Sequence, residues 1–141
     1  MPFAAGFALA ASLFLGGPSA PASPTQPTLI MPAAQTLREY VENYFADAPI
    51  MAEIAWCESR FRQYDKHGSV FRGVVNSKDV GVMQVNEHYH LDTAEKLGID
   101  LYSIEGNLEY ARYLYEKEGV QPWISSKPCW GKTAHGQLAL K

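Results

Sequence analysis

Not one Asp, Glu, Lys or Arg precedes Arg38, whereas from there on the 141-residue chain carries all of its twelve basic and fifteen acidic side chains. The contrast divides the chain into two regions. Phe3 to Leu15 is apolar but too short to span a bilayer, and Gly16, Gly17 and Pro18 lead into an Ala20-Pro21-Ala22 site suited to cleavage, so residues 1–22 read as a signal peptide. Its positive charge comes from the α-amino group alone. Residues 23–35, rich in Pro, Ala, Ser and Thr without hydrophobic periodicity, read as an extended tether. The folded domain is expected to begin near Thr36 and to run over residues 36–141.

That domain has enough apolar and aromatic residues for a real core. Its charges are interspersed and slightly acidic in sum, so there is no basic stripe to neutralise a phosphate backbone, and nucleic acid is not expected as a partner. No stable membrane span is expected, and a monomer is. The cysteines number two, Cys57 and Cys129. In the oxidising compartment that an export signal implies they would pair, with two buried free thiols as the alternative. Their spacing is not that of a zinc knuckle.

Helical periodicity places Leu37, Tyr40, Val41, Tyr44 and Phe45 on one side of a first helix over Thr36–Asp47. Asp47 and Pro49 read as the start of a second helix, Ile50–Glu58. Glycines, β-branched residues and turn-like runs between Arg60 and Lys78 predict an irregular β-lobe or hairpin, and Val80–Val85 a further extended strand. Leu91–Leu97 reads as a short helix stopped by Gly98, and Ile104–Glu118 as a longer one with Ser103 as N-cap and Gly119 as C-cap. The stretch from Trp123 to Trp130 reads as a loop. The fold class expected is α+β, mainly α, with a small β-hairpin lobe.

On the second helix Ile50, Met51, Ile54 and Ala55 form one apolar face, and Glu58 falls in the middle of it, whereas Glu53 and Trp56 project from the other side. Glu53 thus reads as an ordinary exposed residue. An apolar face and the negative end of the helix dipole both disfavour the ionised form of Glu58. A carboxyl kept protonated near neutral pH is what a general acid needs to protonate a glycosidic oxygen. The alternative is a buried Glu neutralised by Arg60, Arg62 or Arg72.

Ala55-Trp56-Cys57-Glu58-Ser59-Arg60-Phe61 resembles the A-x-x-E-S-x-F helix end of the soluble-type lytic transglycosylases of the lysozyme-like superfamily. Gly81-Val82-Met83-Gln84-Val85 is similar to that family's G-hydrophobic-M-Q-hydrophobic strand, and the resemblance runs from about Leu37 to Trp130. It implies a lysozyme-like domain acting on peptidoglycan, with Glu58 as the catalytic acid/base and Ser59 orienting it or the sugar. Met83 and Gln84 would line the glycan groove, with ordinary core packing as the alternative for Met83. Asn107 and Tyr113-Leu114 correspond to an Asn and a Tyr-Leu of the family's later helix, at shorter spacing. The family's A-Y-N element is absent; Trp123 in the segment that replaces it is a candidate groove aromatic or a core residue. Metal is not expected at His88 and His90, which would share a strand face but have no third ligand at a suitable spacing.

The resemblance further implies non-hydrolytic cleavage of the MurNAc-GlcNAc β-1,4 bond to 1,6-anhydromuramyl ends, with no cofactor. Two alternatives stand beside it. One is a hydrolytic lysozyme on the same scaffold, with Asp65 or Asp79 activating water; the other is a non-catalytic glycan-binding module in which Glu58 is a structural ion-pair partner.

Overall fold

The computed structural model describes residues 34–141. The segment read as a signal peptide, and the one read as a tether apart from its last two residues, lie outside them. The described chain is mainly helical with one small antiparallel hairpin, and none of its helices is long and apolar enough to cross a membrane.

Helix α1, Leu37–Tyr44, starts at a capping box: the Thr36 hydroxyl accepts from the Glu39 N–H, and the Glu39 carboxylate accepts from the Thr36 N–H at 2.8 Å. Such reciprocal bonds satisfy two of the donors that a helix start leaves open. It ends before the expected Asp47. Nor does Asp47 start α2, Pro49–Ser59, whose N-cap is Ala48 and makes no side-chain bond. The Asp47 carboxylate is instead held by the Arg112 guanidinium at 2.9 and 3.0 Å. Pro49 suits the first helical position because no N–H is required there. α2 buries Ile50, Met51, Ile54 and Ala55 as its periodicity predicts, and leaves Trp56 exposed. Arg60 and Phe61, both at positive φ, turn the chain away after Ser59.

Between Arg60 and Lys78 the backbone is irregular, tied by isolated bridges between Tyr64 and Val70 and between Arg72 and Val80. The strand expected over Val80–Val85 is broken into two short ones, β1 Asp79–Val80 and β2 Val85–Asn86, paired antiparallel with Asp79 opposite Asn86. Gly81 at φ +74° and Gln84 at φ +50° turn the chain between them. That conformation is incompatible with a continuous strand. α3, Glu87–Lys96, begins four residues earlier than expected because the Asn86 side chain caps it, accepting from the His88 N–H. His88 and His90 therefore lie on a helix, where residues two apart do not share a face.

α4 runs from Ile104 to Glu118 between Ser103 and Gly119, as the sequence indicates. The segment read as a loop is helical. A 3₁₀ helix, Gln121–Ser126, leads into α5, Lys127–Trp130, and then α6, Ala134–Ala139. The Cys57–Cys129 disulfide joins α2 to α5. Trp123 and Trp130 are both buried, in a core shared with α2 and with Leu108 and Ala111 of α4.

Candidate active site

The β1–β2 turn is buried although it has little sheet to belong to, so its backbone groups need partners from elsewhere. Side chains supply them. Asn107 of α4 donates to the Val80 carbonyl at 3.0 Å and accepts from the Met83 N–H at 2.9 Å. Gln63 accepts from the Val82 N–H at 2.8 Å, the Ser59 hydroxyl donates to the Val82 carbonyl at 2.7 Å, and the Trp123 indole donates to the Met83 carbonyl at 2.9 Å. Ser59, Gln63 and Asn107 are the buried polar residues of the described chain, and all three serve this turn. A Cβ at Gly81 would run into the Asn107 amide, so close approach as well as positive φ calls for glycine there.

Supported in this way, the turn forms one wall of a cleft of about 310 Å³. Asp79, Gln84 and Asn86 line it from this hairpin wall, and Glu58, Trp123 and Ser125 line it from the helices. Tyr89 and His90 of α3, Leu114 and Glu118 of α4 and Pro122 of the 3₁₀ helix complete the lining. No Lys or Arg lines it. The nearby cations are engaged elsewhere: Arg60 stacks on Trp56, Arg62 donates to the Ser59 carbonyl, and Arg72 pairs with Glu87 at 2.8 Å.

Glu58 is half-buried at the C-terminal end of α2, and its Oε1 accepts from the Ser126 hydroxyl at 2.6 Å. Burial holds its carboxyl above the usual carboxylate range; the Ser126 bond works against that rise and the charge of Asp79 adds to it. Desolvation without a compensating cation is the setting in which a carboxyl stays protonated as an acid. Asp79 is fixed by the amides of Asn86, at 2.6 Å, and Asn76, at 3.3 Å, both donating to Oδ1. Gln84 donates to the Gly81 carbonyl at 2.8 Å. Burial keeps His90 below the usual imidazole range, and its Nδ1 lies 3.2 Å from the Tyr110 hydroxyl.

No family model matches the chain, and no curated protein or solved structure matches it either.

Of the residues singled out in the sequence, Glu58, Gln84 and Trp123 meet at the cleft. Ser59, Met83 and Asn107 do not line it. Ser59 and Asn107 support the turn, and the Met83 side chain is wholly buried in the core. Tyr113 is on another face of α4, packed on Tyr110 and bonded to Lys117. The arginine pairing considered for Glu58 is absent among the described residues. Of the two acids weighed for hydrolysis, Asp79 is in the cleft and Asp65 is not: Asp65 is exposed and accepts from the His67 and Ser69 N–H groups. Glu53 is half-buried rather than simply exposed, since its carboxylate accepts from the Thr133 hydroxyl and meets His135 Nδ1 at 2.7 Å. Sequence reasoning gave no role to Gln63, Ser126 or Trp130. For the last two a signal existed, because Trp123, Ser126 and Trp130 recur at three and four residues, the spacing of one helical face.

Proposed function

We propose that the protein is an exported enzyme that cleaves the glycan strands of peptidoglycan as a lytic transglycosylase, with Glu58 as its acid and base. The observation that carries this reading is a carboxyl raised by burial, facing a cleft with no cationic side chain to neutralise it. Protonated Glu58 gives its proton to the glycosidic oxygen as the bond from that oxygen to the muramyl C1 breaks. The substrate's N-acetyl oxygen stabilises the cationic C1. Glu58, now a carboxylate, takes the proton of the C6 hydroxyl, whose oxygen bonds C1 and closes the 1,6-anhydro ring. Proton and electron pairs balance without water, and Glu58 returns to its starting state. Neither a metal nor an organic cofactor enters the scheme. Gln84 offers both amide atoms to sugar hydroxyls or the N-acetyl group. The disulfide suits an oxidising, extracytoplasmic compartment, where the substrate is found.

A second reading rests on Asp79. A second carboxylate in the same cleft as Glu58, held by two amides, is the kind of partner that ordinary glycoside hydrolysis uses as nucleophile or base. Digestion of purified sacculi in ¹⁸O-labelled water distinguishes the two. Unlabelled anhydro ends are expected; labelled reducing ends, abolished by Asp79→Asn, would establish the hydrolase. Glu58→Gln is expected to lose activity by at least about 100-fold, the scale of general acid–base catalysis. Equal clearing by the two proteins would remove Glu58 as the catalyst, and no clearing by either would leave only a glycan-binding module.

A further inference from the structure

The Ser126 hydroxyl has more prospective partners than hydrogens. Its Oγ is 2.6 Å from Glu58 Oε1 and 3.1 Å from the Trp123 carbonyl oxygen, and the Trp130 indole N–H points at it from 3.0 Å. A hydroxyl carries one hydrogen and two lone pairs, and an indole can only donate. When Glu58 is a carboxylate, the hydroxyl hydrogen goes to Oε1 and Trp130 fills a lone pair. When Glu58 is protonated, the assignment turns round: the carboxyl hydrogen is given to Oγ, and the hydroxyl hydrogen rotates to the Trp123 carbonyl. Both arrangements are paired, and no heavy atom has to move between them.

The support around this hydroxyl is rigid. Trp130 is fully buried and also donates to the Trp123 carbonyl at 3.0 Å. Trp123 is anchored in turn to the Met83 carbonyl, and the disulfide ties the residue before Trp130 to the residue before Glu58. Of the other titratable groups facing the cleft, Asp79 comes from β1, His90 from α3 and Glu118 from α4. None of them is hydrogen-bonded to Glu58; among the described residues Ser126 is the side chain that is.

We propose that Ser126 is the positioning residue of the site, a hydroxyl rotor that accepts from Glu58 as an acid and donates to it as a base. The use of both states in one turnover rests on the reading of Glu58 given above. The hydroxyl exchange itself rests on the geometry alone.

The test compares wild type with Ser126→Ala and Ser126→Thr. The Glu58 side-chain carboxyl is followed by carbon-detected NMR, assigned through Glu58→Gln, and initial rates on sacculi are measured against pH. Removing the hydroxyl deletes a donor to the carboxylate, so in Ser126→Ala the Glu58 midpoint moves further up and the alkaline limb of activity moves with it. The maximal rate falls on the order of tenfold, the scale of a hydrogen bond to a charged group, with little change in KM. Ser126→Thr, which keeps the hydroxyl, returns midpoint and rate toward wild type. An unmoved midpoint in Ser126→Ala overturns the proposal, as does a folded Ser126→Thr that behaves like alanine. A midpoint that shifts and is rescued in a protein that never cleaves glycan would instead leave Ser126 in place and remove the peptidoglycan reading.

Discussion

On one wall of the cleft Glu58 is backed by a disulfide and two packed indoles; on the other, Asp79 and Gln84 stand on a turn with two residues of strand on either side. The first wall is built from helices. The second is a buried turn, held by amide and hydroxyl side chains sent across from α2, α4 and the loop after α2. The difference separates two kinds of polar residue. Those that are fully buried are engaged with backbone and hold the turn; those that are half-buried at the cleft keep a free edge for chemistry. Each wall can be tested by removing what supports it.

The largest effect is expected from the disulfide, which closes a loop across 72 positions of sequence. Chain-entropy reasoning gives about 4 kcal/mol for a loop of this size. Urea unfolding with and without reductant, and of the Cys57→Ser/Cys129→Ser double variant, is expected to show a drop of that order. A loss well under 1 kcal/mol would mean that packing of Trp123 and Trp130 alone holds the helical wall.

On the other wall the largest effect is expected at Asn107. Its replacement by Ala takes the acceptor from the buried Met83 N–H and a donor from each of the buried Val80 and Leu101 carbonyls. A cost of about 3 kcal/mol follows, with faster amide exchange at Met83. Loss of stability without faster exchange at Met83 would break the assignment of Asn107 to the turn.

These two experiments touch what was and was not legible in the sequence. Periodicity identifies the buried face of α2 and the position of Glu58 at its centre, because both depend on residues a few places apart. Capping residues fix the ends of α4 for the same reason. The turn-holding roles of Ser59 and Asn107 were not legible: the resemblance has Ser59 orient Glu58 or the sugar and matches Asn107 to an asparagine of the family's later helix. Their partners lie on a turn 23 to 27 residues away, whose unmet hydrogen bonds have no signature in composition. The strand reading of Val80–Val85 fails on the same turn, since β-branched residues there are buried by a reversal of the chain and not by a sheet. Gly73 belongs to this hidden layer as well.

A smaller effect is expected from Gly73→Ala. A Cβ there would meet the Asn76 carbonyl oxygen at 2.5 Å and Gln84 Oε1 at 2.8 Å, so the loop carrying Asp79 and the Gln84 side chain must both give. The stability cost should be about 1–2 kcal/mol, as for modest overpacking. Its signature is functional: KM for glycan rises while the Glu58 midpoint stays, because the helical wall is untouched. A shifted midpoint with normal KM would show that the two walls are not independent.

The smallest effect is a pH-dependent gain of stability in Glu58→Gln. Burial raises the Glu58 carboxyl above its value in the unfolded chain, so between the two values the folded state holds more proton than the unfolded one. Stability therefore falls as pH rises through that window. Below it Glu58 is protonated in both states and contributes no penalty; above it the fold carries a desolvated charge. Glutamine resembles the protonated acid in shape and is never charged. Thermal melts of the two proteins are thus expected to differ little at acid pH and to diverge from the ordinary carboxylate range upward, with the Gln variant melting higher at neutral pH. Asp79→Asn should narrow the gap, since its charge is part of what opposes ionisation of Glu58. A gap that does not depend on pH, or a Gln variant that melts lower at neutral pH, would mean that the helical wall accommodates the Glu58 charge and that its carboxyl is not poised as an acid.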